Sequence, residues 1–329
     1  MSYTSPLTTY LTSSCPHPLT RATTHPFLEC AGRGSLPKHL LSQWLSQDRL
    51  YAQTYIRFIG QLLSKIRLPP HNPDSSKSSA QTVLHRTVDV LIDALVNIRR
   101  ELDFFESVAA EFGLDLTAVS PEDGMALYTE EMGTGKGNSG GAGTKSATGT
   151  SSGCPPKGTE AECPSTAPGA CCGTSKTGFP GTTAGRGDPE KGCTIFFGPN
   201  RTTRAYIDLF MSAGSPGVSL LEGLVVLWAT EECYLRSWRY AASFVGEKED
   251  GNVGEGGRDA DGGALRLRFI PNWTSGEFEA FVRRIGDVVD EMASLIKGAE
   301  EGELTRGRCL EWWRQVLWLE ERFWPAISS

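Results

Sequence analysis

The sequence predicts an all-α protein, built as a single bundle of many helices with a long low-complexity insertion. Three observations support this fold class. Apolar residues recur at spacings of three and four over most of the 329-residue chain, which is the period of helices that bury one face. The hydrophobic fraction of 39% is enough for a sizeable core. Residues 266–270 are the sole candidate for a strand, and that candidate is short.

The first half of the chain divides into three helical segments. Residues 1–17 are predicted to be disordered, and the helical domain is predicted to cover residues 18–327. A short helix is expected over residues 19–31, and a long amphipathic helix over residues 40–66 is ended by a proline-rich loop. The third helix ends at Gly113 and carries an unbroken apolar stripe: Leu84, Val88, Leu91, Leu95, Ile98, Leu102, Phe105, Ala109 and Phe112.

A low-complexity segment follows. Residues 133–192 consist mostly of Gly, Ser, Thr, Pro and Ala and contain almost no large apolar side chain. Such a segment cannot offset its ordering entropy, so we predict that it is disordered. Its glycine-rich stretches do not satisfy the phosphate-loop pattern, and its cysteines lack zinc-site spacing. Because the acidic side chains considered below come from both flanks, we interpret it as an insertion within one domain.

Helical patterning resumes after the insertion. One segment begins at Thr202, and a second covers residues 220–244. Residues 274–277 have the form of a capping box, which opens a third helix. The last helix is expected over residues 304–323.

Charge and hydropathy restrict the expected partners and compartment. The formal net charge of -7, without a basic stripe, argues against nucleic acid as a partner. The longest apolar run, residues 220–229, is too short to span a bilayer, so no membrane partner is expected. The N-terminal residues lack the apolar region of a secretory signal, which predicts a cytoplasmic protein. A mitochondrial location is the alternative, because no acidic residue precedes Glu29.

Three helical stretches place a carboxylate beside aromatic side chains. In two of them the spacing is i, i+3, i+7, so that the acid and the rings project from one face. A carboxylate on an otherwise apolar face is costly to bury unless it meets a partner. The stretches therefore suggest one polar pocket inside the bundle. They carry Asp48 with Tyr51 and Tyr55, Glu231 with Tyr234 and Trp238, and Glu320 with Phe323 and Trp324.

Metal and haem sites find little support in the sequence. A di-iron helical site needs Glu-x-x-His pairs, and the sequence contains none. His25 is a possible axial ligand of a haem, but a structural role at the start of a helix is the favoured interpretation. We predict no cofactor and no metal site. Cys233 is a competing nucleophile, although it lies about 200° around the helix from Glu231, so both cannot point squarely into one pocket.

These stretches resemble the TenA family, also called thiaminase II. The usual form of that family is a His-Pro-Phe entry, a Gly-x-Leu turn, a Gln-Asp-x-x-Tyr helix and a terminal Glu-x-x-Phe-Trp. The resemblance covers residues 18–132 and 194–327. The matching runs are HPFLECAGRGSLPKHLLSQWLSQDRLYAQTY, AYIDLFMSAGSPGVSLLEGLVVLWATEECYLRSWRYA, FIPNWTSGEFEAFV and LEERFW.

The resemblance implies a heme-oxygenase-like helical bundle that needs neither haem nor metal. It also implies hydrolysis of aminopyrimidine breakdown products of thiamin, and a homo-oligomer, by analogy a tetramer. Carried over by motif, Asp48 would hydrogen-bond the ring nitrogen and exocyclic amine of a pyrimidine. Tyr51 would line the pocket, and Glu320 would protonate the leaving nitrogen.

The chain differs from the best-known TenA family members at the position of the catalytic nucleophile. Those members carry a cysteine in a Pro-Cys context, whereas residues 227–231 here read Leu-Trp-Ala-Thr-Glu. This pattern resembles a subgroup in which glutamate stands in and which is linked to N-formylated aminopyrimidine. We predict a thiamin-salvage C–N hydrolase in which Glu231 activates water as general base. The ring would be held by Tyr51, Tyr55, Tyr234 and Trp238, with core packing as an equally weighted alternative for Trp238.

Two other function classes stay open. One is a helical pyrimidine-binding protein that has kept the pocket and lost the chemistry, which the missing cysteine supports. The other is a related helical oxygenase, which the scarcity of pocket histidines disfavours.

Overall fold

The computed structural model describes residues 5–68, 79–119, 125–128, 193–246 and 259–327. The chain forms two compact units, one of residues 1–126 with 195–329 and the other of residues 127–194. The insertion predicted at residues 133–192 lies outside the described residues.

The described residues are almost entirely helical, which confirms the all-α prediction. The helices are α1 (Leu7–Ser14), α2 (Pro16–Thr23), α3 (Pro26–Arg33), α4 (Lys38–Ser64), α5 (Ser79–Phe112), α6 (Arg201–Gly214), α7 (Leu220–Ser243), α8 (Ile270–Trp273), α9 (Gly276–Ser294) and α10 (Ala299–Phe323). Two short strands, β1 (Met125–Tyr128) and β2 (Cys193–Phe196), pair in a small sheet. Within the described ranges, no helix has the length and apolar character needed to cross a membrane.

The prediction that residues 1–17 are disordered is wrong for the part of that segment that the structure describes. Helix α1 packs against α9 and α10 and buries Leu7 and Leu11, which are spaced i, i+4. The backbone N–H and the hydroxyl of Thr8 donate to Asp290 at 2.8 and 2.7 Å. Asp290 lies 282 residues away in the sequence. A local pattern does not reveal this helix, because its partners are so distant.

The short helix predicted over residues 19–31 is in fact two helices, α2 and α3. His25 separates them in an extended conformation, and its Nδ1 accepts the backbone N–H of Phe27 at 3.1 Å. Pro26 then occupies the first helical position, where its missing N–H costs nothing. Gly34, with φ of 73°, ends α3 in the left-handed region that favours glycine. The helix-entry interpretation of His25 is therefore confirmed.

The candidate strand at residues 266–270 is instead a π-helical turn, Leu265–Phe269, that runs directly into α8. The buried Asp261 carboxyl accepts the backbone N–H groups of Gly263 and Leu265 at 2.8 and 2.7 Å and so holds the start of the turn. Leu265 and Phe269 are buried at the i, i+4 spacing of a helical face. The turn leads to Trp273, which is also buried.

Two apolar clusters fill the interior. The first includes the stacked ring pairs Phe58 with Phe210 and Trp228 with Trp313, whose centroids are 4.8 and 5.3 Å apart. The second surrounds Trp44. The indole of Trp44 contacts five other rings, those of Phe27, Trp238, Trp273, Phe323 and Trp324.

Helices α4 and α7 bring side chains of both clusters together. Helix α4 packs on α5, α6 and α7, and α7 packs on α3, α9 and α10. Tyr55 of α4 belongs to the first cluster and Trp44, eleven positions earlier, to the second. Asp48, which lies between them on α4, is therefore positioned where the two clusters meet.

Replacement of Leu11 by alanine tests whether α1 is part of the core. We expect a loss of about 2–4 kcal/mol in the free energy of unfolding, because the side chain is fully buried and leaves a cavity. The measurement is the urea unfolding midpoint. Thr9→Ala, at an exposed position of the same helix, is the control and should shift the free energy by less than about 0.5 kcal/mol. Equal effects of the two substitutions would mean that α1 does not contribute to the core.

Candidate active site

A cavity of about 180 Å³ lies among α4, α5, α7, α8 and α9. This volume suits one small ring rather than a drug-sized ligand. Its wall combines aromatic rings with carboxyl groups and a few amide and hydroxyl groups. The acidic lining residues are Asp48, Glu101, Glu231 and Glu277.

Five of the seven side chains predicted for the site line this cavity. Asp48, Tyr51 and Tyr55 come from α4, because their i, i+3, i+7 spacing puts them on one helix face. Glu231 and Tyr234 come from the facing side of α7 at an i, i+3 spacing. The structure thus brings together acids and rings that are more than 170 residues apart in the chain.

Trp238 does not line the cavity. Its side chain is fully buried in the cluster around Trp44, with ring centroids 5.4 Å from Trp44 and 4.3 Å from Trp273. Trp238 therefore supports Trp273, which does line the cavity. Its predicted contact with a bound ring is not supported, and core packing explains its position.

Glu320 also stays behind the cavity wall. Its side chain is 4% exposed, and its Oε1 accepts the hydroxyl of Tyr206 at 2.6 Å. The Tyr206 ring lies edge-on to the ring of Tyr51, with centroids 5.2 Å apart. Burial raises the pKa of Glu320 to about 8, and the nearby Glu231 adds to the shift. Glu320 is thus connected to the cavity through two tyrosines rather than exposed in it.

Asp48 is the most enclosed acid of the wall. Its side chain is 3% exposed, and its Oδ2 accepts the Tyr234 hydroxyl at 3.2 Å. Burial raises the pKa of Asp48 well above its ordinary value, and repulsion by Glu101 raises it further, against the effect of the hydrogen bond from Tyr234. The enclosure therefore favours the protonated form of Asp48, in which the carboxyl can act as a hydrogen-bond donor.

Glu231 is half-buried and faces the cavity. Burial raises its pKa to about 7, and the neighbouring Tyr55 hydroxyl lowers this pKa while Glu101 raises it. Tyr55 itself is 2% exposed, and its hydroxyl makes no hydrogen bond of normal geometry with the described residues. A buried hydroxyl that lies near a carboxyl without a hydrogen bond of normal geometry to it is a group that a ligand can satisfy.

Glu101 of α5 is a site residue that the sequence reasoning missed. Its two carboxyl oxygens accept the indole N–H of Trp273 and, at 3.3 Å, the side-chain amide of Asn272. Burial raises its pKa to about 7, although both hydrogen bonds lower it. One feature of the sequence could have identified Glu101 as a site residue. It lies among the apolar positions of α5, between Ile98 and Phe105, where an acid is unexpected.

The side chain of Cys233 does not line the cavity. Its side chain is fully buried, and burial together with the nearby Glu320 raises the pKa of its thiol well above the ordinary value. A thiol with a raised pKa is a poor nucleophile. Among the described residues, no group of three or more His, Cys, Asp or Glu side chains is arranged to hold a metal ion.

Comparison with solved structures shows that the chain has the fold of TenA homologues. A TenA homologue from Pyrococcus furiosus superposes with a TM-score of 0.54 at 18% identity, over 97% of this chain and 98% of that one. A TenA family transcription regulator from Silicibacter sp. TM1040 gives 0.54 at 14% identity, over 97% and 94%. A TenA homologue from P. horikoshii OT3 gives 0.54 at 14% identity, over 97% and 99%.

Sequence comparison adds one curated relative. A protein of Fusarium pseudograminearum named "Probable transcription factor" is 25% identical over 333 residues, which cover 94% of this chain and 50% of that protein. The chain thus spans about half the length of the curated relative that it matches. No family model matches the sequence.

The raised pKa values predict that the protein loses stability as the pH rises. Glu320 has a pKa of about 8 in the folded state against an ordinary value of 4.5, so the folded state holds this proton more tightly than the unfolded chain does. The stability that this proton supports is complete below pH about 4.5 and is lost as the pH rises through about 8. The slope reaches up to about 1.4 kcal/mol per pH unit for one such group.

Urea unfolding between pH 5 and pH 8 measures this slope. We expect the free energy of unfolding to fall less steeply with pH in Glu320→Gln, which cannot titrate and still accepts the Tyr206 hydroxyl. Glu311→Gln, at an exposed position of the same helix, should keep the slope of the unmodified protein. A slope that is unchanged in Glu320→Gln would show that Glu320 titrates alike in the folded and unfolded states.

Proposed function

We propose that the chain hydrolyses a C–N bond of a small aminopyrimidine, either an amine-bearing ring or its N-formyl derivative. The TenA fold supports this function, and one observation carries it. Asp48 and Glu231 line one cavity, enclosed by the rings of Tyr51, Tyr55 and Tyr234. The volume of about 180 Å³ has room for one such ring. One carboxyl would recognise the ring, and the other would activate water.

Asp48 would bind the edge of the pyrimidine. In its protonated form the carboxyl can donate its O–H to a ring nitrogen while its other oxygen accepts an N–H of the adjacent exocyclic amine. Tyr234 fixes the orientation of this carboxyl through its hydrogen bond to Oδ2. A flat ring held in this way would lie among aromatic side chains, which supply most of the contact area.

Glu231 would act as the general base. A pKa of about 7 leaves a substantial ionised fraction at neutral pH, and this carboxylate is basic enough to take a proton from water. With an amine substrate, the water oxygen bonds to the methylene carbon on the ring, a proton of the water passes to Glu231, the C–N bond breaks, and the nitrogen, already protonated in the bound arm, leaves as ammonia. With an N-formyl substrate, the water oxygen bonds to the formyl carbon, and formate and the free amine are released.

Glu320 would supply the proton that the leaving nitrogen takes up when the substrate is the N-formyl derivative or an uncharged amine, although Glu320 lies behind the wall. A pKa of about 8 keeps it protonated at neutral pH, and its carboxyl is hydrogen-bonded to the Tyr206 hydroxyl. Tyr51 packs on Tyr206 and lines the cavity, so these two tyrosines lie between Glu320 and the bound ring. In this arrangement Glu320 acts through other side chains and does not touch the substrate.

A second candidate is a pyrimidine-binding protein without turnover. The observation that favours it is the position of Cys233, which is buried away from the cavity, so that no cysteine lines the described wall. Two of the similar proteins carry regulatory names, the Fusarium relative and the Silicibacter structure. A ligand-binding regulator could use the same wall without the water-activating step.

Turnover by purified protein separates these functions. The protein is incubated without added metal with an aminomethyl-substituted aminopyrimidine and with its N-formyl derivative, and the products are followed by mass spectrometry. We expect Glu231→Gln to lower kcat by at least ~100-fold and to change ligand affinity little, because it removes the base and keeps the shape.

Glu232→Gln is the matched control. Glu232 is the next residue of α7, but its carboxylate pairs with Arg236 at 2.7 Å and does not line the cavity. Its removal should leave kcat unchanged. Equal rates in both variants would contradict a base role for Glu231. Saturable binding without any turnover by the unmodified protein would favour the second candidate, and turnover that depends on metal or oxygen would favour an oxygenase.

A further inference from the structure

Glu101 differs from the other carboxyls of the cavity in its hydrogen-bond donors. Each of its oxygens accepts an N–H, one from the indole of Trp273 and one from the amide of Asn272. Asp48 receives one phenol hydroxyl in the hydrogen bonds that the structure records. Donors of this kind stabilise a carboxylate in its charged form. Glu101 is therefore the better placed of the two to carry the negative charge while Asp48 keeps the proton.

We propose that Glu101 determines ligand specificity by binding a positively charged substituent, such as a protonated primary amine, on the heterocycle that occupies the cavity. The inference rests on the site described under the proposed function and selects between the two substrate types left open there. An aminomethyl arm carries a positive charge at neutral pH, whereas an N-formylated arm is neutral. Glu101 favours the first.

The charges of the wall support this specificity. Of the described residues that line the cavity, Arg100 is the only basic one, and it pairs at 3.5 Å with Glu277. Both side chains of that pair are largely exposed, so the pair lies at the mouth. Inside, burial is the main cause of the raised pKa values of Asp48 and Glu231, and repulsion by Glu101 raises both further. A cationic group between them would relieve this repulsion, and an anionic group would increase it.

A second observation points to a ligand at the same place. The Tyr55 hydroxyl is buried, lines the cavity and makes no hydrogen bond of normal geometry with the described residues. It lies beside Glu231. A protonated amine has three N–H donors, which can be shared by Glu101, Glu231 and this hydroxyl. The hydroxyl and the carboxylates thus form one acceptor set.

The position of Glu101 is fixed by the core and not by the ligand. Trp273 follows the π-helical turn and packs against Trp44, Trp238 and Phe269, with ring centroids 4.3 to 5.8 Å away. Its indole N–H therefore points at Glu101 before any ligand enters. A carboxylate that is held in place loses less conformational entropy on binding than a free one does.

Binding of two matched ligands tests the inference. The probes are a 4-aminopyrimidine with an aminomethyl arm and the same ring with a hydroxymethyl arm, which differ in charge and hardly in size. Calorimetry is done on the full chain at pH 8, where Glu101 is ionised. We expect Glu101→Gln to weaken binding of the aminomethyl ring by at least ~10-fold and of the hydroxymethyl ring by less than ~3-fold.

Glu106→Gln is the control, because it removes the same charge from an exposed position of α5 that pairs with Arg49. It should weaken neither ligand. Asn272→Ala removes one donor to Glu101 without altering the carboxyl, and should weaken the aminomethyl ring more than the hydroxymethyl ring. This variant keeps the test valid if Glu101→Gln does not fold.

Equal weakening of both ligands by both cavity variants would overturn the inference, as would tighter binding of the hydroxymethyl ring by the unmodified protein. The outcome is independent of catalysis. Charge-selective binding that depends on Glu101, without turnover of either substrate, would support the inference and remove the hydrolase proposal. Turnover by the unmodified protein, together with ligand binding that Glu101→Gln and Glu106→Gln affect alike, would remove the inference and leave the hydrolase.

Discussion

A carboxyl group enclosed by aromatic rings must either keep its proton or find donors, and the interior of this protein follows from that constraint. Asp48, with one phenol donor, keeps its proton, and Glu101, with two N–H donors, is better able to carry charge. Glu231 and Glu101 both have a pKa of about 7, but Glu231 has no N–H donor among the hydrogen bonds of the described residues. Three acids of one kind thereby acquire different hydrogen-bonding abilities, and a ligand meets a donor and acceptors in one small space. Burying these acids costs free energy, which the packing of the rest of the bundle must offset. The cavity is therefore a locally unfavourable part of a well-packed protein.

Rigidity of the wall comes from the aromatic core behind it. Trp273 belongs both to the cluster around Trp44 and to the cavity lining. Trp238 contacts Trp44 and Trp273 without reaching the cavity itself. Close packing of large rings leaves each one few alternative positions. The site is therefore held by side chains that never touch a ligand, and a substitution in this core would displace Glu101 as well as reduce stability.

Much of the fold and part of the site could be predicted because α4, α5 and α7 each carry their own apolar face. The spacing of Asp48 with its tyrosines, and of Glu231 with Tyr234, was enough to put them on one wall. The positions of Glu320 and Trp238 depend on how far each helix is rotated within the bundle, which spacing does not determine. Glu101 was missed because its stripe on α5 reads as core, and its partner Asn272 lies 171 residues later. Leu7 and Leu11 of α1 were missed for the same reason, since their burial depends on distant helices.

The π-helical turn before α8 makes one side of the enclosure adjustable in length. A π turn holds about one residue more than an α turn, so loss of a single residue between Leu265 and Phe269 would restore ordinary helix. Because the π turn absorbs the extra residue within about one full rotation, its loss would leave Asn272 and Trp273 facing Glu101. The walls built by α4 and α7 would stay as they are. The segment before α8 is therefore a place where the chain can change its length by one residue while the wall that carries Trp273 keeps its direction.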